Sequence, residues 1–251
     1  MIQINRLQVG TRLLPLSFQC KKGEILHVVG PNGSGKSTLL AAVAGVLESQ
    51  GEVMLNHTAI SQLSLSELTQ RRAYLSQSDR PAFNLDVFQY LALSLPQGKH
   101  YQDPAVAVAL NDICSLLNLS DKLHRTIHSL SGGEWQRVRL AGSCLQIWPT
   151  LNPDGQLLIL DEPAAPLDIA QEQLLYALIQ QIANQGITVM MANHDLNRSL
   201  HHADQVLLLD KGIMHTFGPA LHVLTEDNLA DVFQTSVKRV DWHGRLYLLF
   251  D

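Results

Sequence analysis

No run of about eighteen uninterrupted apolar residues occurs in the 251-residue chain, so no segment is long enough to cross a bilayer as a helix. The opening stretch MIQINRLQVGTRLL also lacks the charged-then-apolar layout of a secretory signal. The expectation is a chain that stays in the cytoplasm and takes any membrane role through a protein partner. Basic residues are in short supply. Eighteen Lys+Arg stand against twenty-three Asp+Glu, a net charge of −5 with no basic tract, so nothing in the balance points to wrapping nucleic acid or coating an anionic membrane. Cysteine is scarcer still: Cys20, Cys114 and Cys144 are odd in number and far apart, with no CxxC spacing. They read as small, reduced hydrophobic residues. Internal repeats and low-complexity tracts are absent as well.

What the chain does have is apolar content of 46%, enough for the core of one large domain, 1–251, with room for an inserted lobe. KGEILHVVG (22–30) is a short β-rich run ending in glycine, and KSTLLAAVAGVL (36–47) is made of helix formers. QLLILDEP (156–163), GITVMMANHD (186–195) and ADQVLLLDKG (203–212) are further apolar strands, with a helical pattern over 168–186. This alternation predicts an α/β fold, a mainly parallel sheet with helices on both faces. From about Leu85 to Leu145 strand signals vanish and the pattern turns helical, which predicts a lobe inserted at 86–145. The closing VKRVDWHGRLYLLF predicts a strand pair around His243-Gly244 within a C-terminal extension, 226–251.

The stretch between the first strand and its helix carries the chemistry. Gly30 to Ser37 fits GxxxxGK[ST], in which backbone N–H groups surround phosphate oxygens, the lysine reaches the terminal phosphates and the hydroxyl ligates Mg²⁺. Glycine is needed because a Cβ would block the turn and the approach, and the helix start adds partial positive charge. The candidates for the nucleotide cradle are Gly30, Pro31, Asn32, Gly33, Ser34, Gly35, Lys36, Ser37 and Thr38. Asp161 and Glu162 close an apolar strand, where one carboxylate can hold a Mg²⁺ shell and its neighbour can orient or deprotonate water. A guanine-reading NKxD element is absent, since Asn193-His194-Asp195 does not fit it.

A second Ser/Gly helix start, Ser131-Gly132-Gly133 in LSGGEWQRVRLA, is followed by Arg137 and Arg139 and could also receive phosphate. At this point the chain resembles the ABC ATPases, over residues 1 to about 225. The resemblance implies a P-loop NTPase (RecA-like) fold with an N-terminal antiparallel β region, two chains paired head to tail, and ATP and Mg²⁺ held between them. It implies that Lys36 and Ser37 bind phosphate and metal, that Gln77 in AYLSQ and Asp161 serve the metal, that Glu162 is the general base and that His194 contacts the γ-phosphate. Ser131, Gly132 and Gly133 would reach across the dimer. It further implies two separate transmembrane permease subunits landing on 78–95, where Pro81, Phe83, Leu85, Phe88 and Tyr90 offer a hydrophobic patch or else fill the lobe's own core, and a periplasmic substrate-binding protein acting indirectly.

Some residues depart from the family pattern. Glu134 stands where glutamine is usual, placing a carboxylate by a phosphate-facing helix start; it either tunes phosphate contact or, the favoured expectation, points to water. No aromatic precedes the P-loop near Val9 to Leu14 to stack on adenine; Arg12 is the candidate substitute, and Phe18 reads as part of a strand. Pro166 enters the Ala165–Asp168 loop and removes a donor. Trp135 is expected to be buried, and His201, His202 and His215 to lie on the surface. HDLNRSLHHADQVLLLDKG and FGPALHVLTEDNLADVF resemble the subunits serving iron-chelate, haem and cobalamin importers, and LSGGEWQRVRLA, the loop NPDGQLLILDEP and the curtailed segment before the P-loop are most similar to the vitamin B12 branch. That implies a peripheral protein on the cytoplasmic face of the inner membrane. A soluble ABC ATPase acting on DNA or ribosomes is disfavoured, because neither a coiled-coil insertion nor a second cassette is visible.

Overall fold

The computed structural model describes residues 1–77 and 80–250. The chain begins with β1 (Ile2–Val9), β2 (Leu13–Cys20) and β3 (Ile25–Val29), then α1 (Lys36–Val43), β4 (Gln50–Leu55), β5 (Thr58–Ala59), α2 (Leu65–Arg71) and β6 (Arg72–Leu75). The helical stretch holds α3 (Val87–Leu93), α4 (Pro104–Leu116) and α5 (Gly132–Gln146). After it come β7 (Leu157–Asp161), α6 (Ile169–Asn184), β8 (Thr188–Ala192), α7 (Leu196–His202), β9 (Gln205–Asp210) and β10 (Ile213–Pro219). The chain closes with α8 (Ala220–Val223), α9 (Glu226–Phe233), β11 (Val237–Trp242) and β12 (Arg245–Phe250).

The strands form an antiparallel sheet in the order β2-β1-β4-β5, a six-stranded sheet in the order β10-β9-β3-β8-β7-β6, and a β11-β12 hairpin. In the larger sheet β9, β3, β8, β7 and β6 run parallel and only β10 turns back. β3, β7 and β8 are buried along their whole lengths, as strands covered on both faces must be. Their side chains alternate between two cores. Leu158, Leu160, Val189 and Met191 join a core shared with α4, α5 and α6, while Leu157, Ile159, Met190 and Ala192 join one shared with α1 and the antiparallel sheet. A third core lies under α7, α8, α9 and the hairpin.

The helical region is held by α4, whose buried Val106, Ala109, Leu110, Ile113 and Cys114 recur at helical spacing. Pro104 starts that helix, where its missing N–H costs nothing. Trp135 of α5 is buried and meets Tyr90 of α3 edge-on at 4.9 Å. The three cysteines are free and buried.

The hairpin docks on α7 through an exchange of backbone-like hydrogen bonds. Asn197 donates Nδ2–H to the Leu248 carbonyl at 3.0 Å and accepts from the Leu248 N–H at 2.7 Å. His201 Nε2 lies 2.7 Å from the Leu246 carbonyl, and the His202 ring stacks on Tyr176 at 4.2 Å. The surface placement expected for these two histidines is therefore corrected: both are half-buried, because their rings fill seams under the hairpin and α6. His215 is exposed. His27, in the middle of β3, is fully buried and was not anticipated at all.

Candidate functional site

Strand order decides what meets at the site. With β3, β8, β7 and β6 adjacent and parallel, the loops leaving their carboxyl ends lie side by side. Those loops carry, in the same order, the glycine-rich turn, His194, Glu162 and Gln77. Register supports this placement, since Val28 and Asp161 both pair with Ala192.

The turn after β3 demands glycine at two points. Gly30 has φ 150°, and a Cβ there would sit 2.1 Å from the Leu209 carbonyl oxygen. Gly35 has φ 104° at the N-cap of α1 and offers no side-chain cap to the first-turn N–H groups of that helix. Lys36 is buried and folds back, donating to the carbonyls of Gly30 at 2.9 Å and Pro31 at 3.1 Å. Loss of solvation holds its ammonium pKa below the usual lysine range, partly opposed by the Glu162 and Asp161 carboxylates. Thr38 continues along α1.

Ser37 donates its hydroxyl to Asp161 Oδ1 at 3.0 Å. Asp161 is buried, and desolvation raises its pKa above the ordinary carboxylate value, with the Ser37 bond pulling the other way. This hydroxyl–carboxylate pair is an all-oxygen donor set that fits Mg²⁺. Among the described residues no group of three or more His, Cys, Asp or Glu side chains could hold a metal alone. A cation here would need oxygens from a nucleotide, as is usual for Mg²⁺. Glu162 sits at φ 51°, a left-handed conformation rare for a glutamate, and its Oε1 contacts His194 Nε2.

Thr11, Arg12, Asn32, Gly33, Gly35, Lys36, Ser37, Thr38, Gln77, Glu162 and Lys211 line one cleft of about 710 Å³. Pro31 and Ser34 face a smaller neighbouring hollow beside α9, together with Asn32 and Gly33. Arg12 therefore stands on the rim with no aromatic side chain in the cleft lining. Lys211 was missed in the sequence; its signal is a Lys-Gly pair directly after an apolar strand.

Ser131, Gly132 and Gly133 line neither hollow. Ser131 is the N-cap of α5 and forms a closed box with Glu134: Ser131 N–H donates to Glu134 Oε2 at 2.8 Å, and Glu134 N–H donates to Ser131 Oγ at 3.2 Å. Lys122 and Arg125 flank the Glu134 carboxylate at 3.6 and 3.5 Å. The expectation that Glu134 points to water is thus overturned, because its carboxylate satisfies a helix end. The Ser-x-x-Glu spacing was the signal for it. Gly133 is buried against Pro166 and Gln171. Arg137 and Arg139 do not serve the helix start; both are buried, and Arg139 turns to the Ser76 carbonyl and to Gln136. Gln136 in turn donates to the Pro163 carbonyl at 3.0 Å, tying α5 to the segments that carry Gln77 and Glu162. Arg80 holds the carbonyls of His128, Leu130 and Ser131. Asp168 caps α6 through the Gln171 N–H.

Of the expected landing patch, Ser78 lies outside the described residues. Phe83 is exposed, whereas Leu85 and Tyr90 pack against the core and Phe88 meets Tyr101 and His124. No helix among the described residues is long and apolar enough to cross a membrane.

A phosphate-cradling turn, a hydroxyl–carboxylate pair and a glutamate–histidine contact, all at the carboxyl ends of neighbouring parallel strands, define a P-loop ATPase. A sequence model of the ABC transporter family matches residues 13–165. The chain belongs to that family and is an ATPase of the ABC type. Relatives called vitamin B12 import ATP-binding protein BtuD are 62% identical in Vibrio atlanticus and 61% identical in Vibrio cholerae, each aligned over all of both chains. Among solved structures, a metal-chelate type ABC transporter in an inward-facing conformation superposes with a TM-score of 0.79 at 24% identity, covering 100% of this chain and 96% of that one. A bacterial ABC transporter cassette solved as a dimer gives 0.75 at 21% identity, covering 88% and 99%.

Proposed function

We propose that this chain is the ATP-hydrolysing subunit of a vitamin B12 (cobalamin) importer, working as a head-to-tail dimer beneath two membrane permease subunits. The observation that carries the motor part is the division of the phosphate-binding apparatus: Lys36, Ser37, Gln77 and Glu162 share one cleft, and the Ser131–Gly133 helix start lies away from it. A second copy supplies that helix start, so ATP joins two chains and hydrolysis lets them separate. The cobalamin part rests on full-length relatives bearing that name.

In the proposed reaction the N–H groups of Gly33 to Thr38 and the Lys36 ammonium bind the phosphates. Ser37, Asp161 and Gln77 would hold Mg²⁺, which supplies charge neutralisation of the phosphate oxygens when bound. Glu162 orients the attacking water and accepts its proton. His194, in contact with Glu162, reaches the γ-phosphate and fixes the carboxylate. Residues 86–145 act as the subdomain that carries the Ser131 helix start, and the 78–95 region receives the permease. Residues 226–251 form the C-terminal extension. The protein sits peripherally on the cytoplasmic face of the inner membrane, served by a periplasmic binding protein that never touches it.

Two measurements test this reading. Full-length Glu162→Gln protein given Mg-ATP should elute as a nucleotide-bound dimer, and persistent monomer would break the sandwich. Deletion of the chain should abolish uptake of labelled cobalamin, whereas loss of ferric-chelate or haem uptake alone would reassign the cargo.

A further inference from the structure

The core beneath His194 is polar where apolar packing would be expected. His27, Tyr176, Asn193 and Ser199 are all buried and come from four different elements or turns: β3, α6, the turn after β8, and α7. Burying such groups is unfavourable unless they bond one another, and each of these does, although the far nitrogen of His27, Nε2, is buried without a partner. Asn193 donates Nδ2–H to Tyr176 Oη at 2.9 Å and to Ser199 Oγ at 3.3 Å. His27 Nδ1 lies 3.0 Å from the same Ser199 oxygen, and Ser199 donates its hydroxyl to the Asp195 carbonyl at 2.9 Å. Complete burial lowers the His27 pKa to about 3, so the cluster carries no imidazolium charge at neutral pH.

The other end of the Asn193 side chain faces the loop. Its Oδ1 accepts the Asp195 N–H at 3.2 Å, bracketing His194 between the two bonded residues. The Asn193 main-chain N–H also bonds the Val28 carbonyl at 3.1 Å, on the strand that runs into the glycine-rich turn. One amide therefore grips the turn with its oxygen and the core with its nitrogen.

We propose that Asn193 is a positioning residue for His194, pinning the 193–195 turn to the His27–Tyr176–Ser199 cluster and thereby setting the imidazole against Glu162. This rests on the proposed role of His194 in hydrolysis. The cluster joins three functional segments. His27 lies three residues before Gly30, Tyr176 stands on the helix capped by Asp168, and Asn193 adjoins His194. A shift in any of the three is felt at the imidazole, and a misplacement of about 1 Å can cost on the order of a hundredfold in rate.

The test is a double-mutant cycle on ATP hydrolysis by the full-length protein, with thermal midpoints measured alongside. Asn193→Ala should lower kcat about tenfold with the KM for ATP unchanged, and His194→Ala should lower it further. The double variant should be no slower than His194→Ala, because a pin has nothing left to position. Tyr176→Phe removes one hydroxyl and keeps the ring; it should lower kcat by about twofold or more, again at constant KM and again only when His194 is present. This variant carries the test if Asn193→Ala does not fold. Losses that multiply in the double variants, or a wild-type kcat in both Asn193→Ala and Tyr176→Phe, overturn the pin alone. A wild-type rate in His194→Ala instead overturns the reading of the site itself.

Discussion

The starts of α1 and α5 are both glycine-rich and both satisfy the pattern expected of a phosphate site, yet their own chain treats them oppositely. At α1 the N-cap is a glycine with no side chain to offer, and Lys36, the first residue of the helix, is folded onto the carbonyls of Gly30 and Pro31. At α5 a serine and a glutamate close a complete capping box, with Lys122 and Arg125 holding the glutamate from outside. One helix start leaves its donors to a ligand, and the other has an internal carboxylate already in place. The difference teaches that a glycine-rich helix start signals backbone access, while the presence or absence of a side-chain cap tells whether an anion is still required. Under the sandwich reading, the first site binds nucleotide alone, and the second engages phosphate only when a neighbouring chain brings it.

Substitutions that break or sharpen this comparison can be ranked by expected effect. Glu162→Gln, beside the open site, should lower steady-state ATP hydrolysis by about 10²–10⁴ while ATP binding persists. Parallel hydrolysis and binding measurements check it, and equal loss of both would place Glu162 in binding instead. Next, Lys36→Ala and Ser131→Phe proteins should each be inactive alone, yet a mixture should regain turnover, since mixed dimers keep one intact pair of half-sites. No recovery on mixing would mean the two helix starts do not serve each other.

The smaller effects concern stability. Glu134→Ala should cost about 1 kcal/mol in denaturant unfolding at neutral pH, the usual worth of a cap. The bond from the Ser131 N–H, chiefly, holds the Glu134 pKa below its ordinary 4.5, so this contribution is present above that value and fades as pH falls through the lowered one. An equal cost at all pH values would show that the carboxylate is not what matters. Asp161→Asn should raise the thermal midpoint of nucleotide-free protein by a few degrees near neutral pH, because desolvation disfavours the Asp161 charge. A raised carboxyl pKa costs stability as pH climbs from the ordinary 3.8 through the raised value, so the advantage should shrink as pH falls and vanish only well below 3.8, where wild-type Asp161 is neutral folded or unfolded. An advantage that persists there would point to packing rather than charge.

Much of this was legible in the chain, and the reason differs from element to element. The glycine-rich turn and the Asp161-Glu162 pair could be read because their chemistry is contiguous and flanked by apolar strands that leave little choice of placement. The parallel sheet followed from the continuous apolar runs of β3, β7, β8 and β9. His27 and Tyr176 could not be read, since each is a single polar residue in an otherwise apolar run, and only the crossing of β3, β8 and α6 brings them to Asn193 and Ser199. Arg137 and Arg139 misled for the converse reason. Adjacent in sequence to a helix start, they are carried into the interior, where Arg139 meets Ser76 and Gln136. Glu134 was within reach, its spacing from Ser131 being a capping signal that was passed over in favour of solvent.

The bond exchange between Asn197 and Leu248 has a consequence for how copies of this chain can meet. A lone hairpin offers an unpaired outer rim that invites another strand to zip onto it. Here a carboxamide on α7 imitates a neighbouring backbone at the middle of β12, giving one hydrogen and taking another, so that rim is plugged from within. Two molecules therefore have no ready ladder to share along the outer edge of β12.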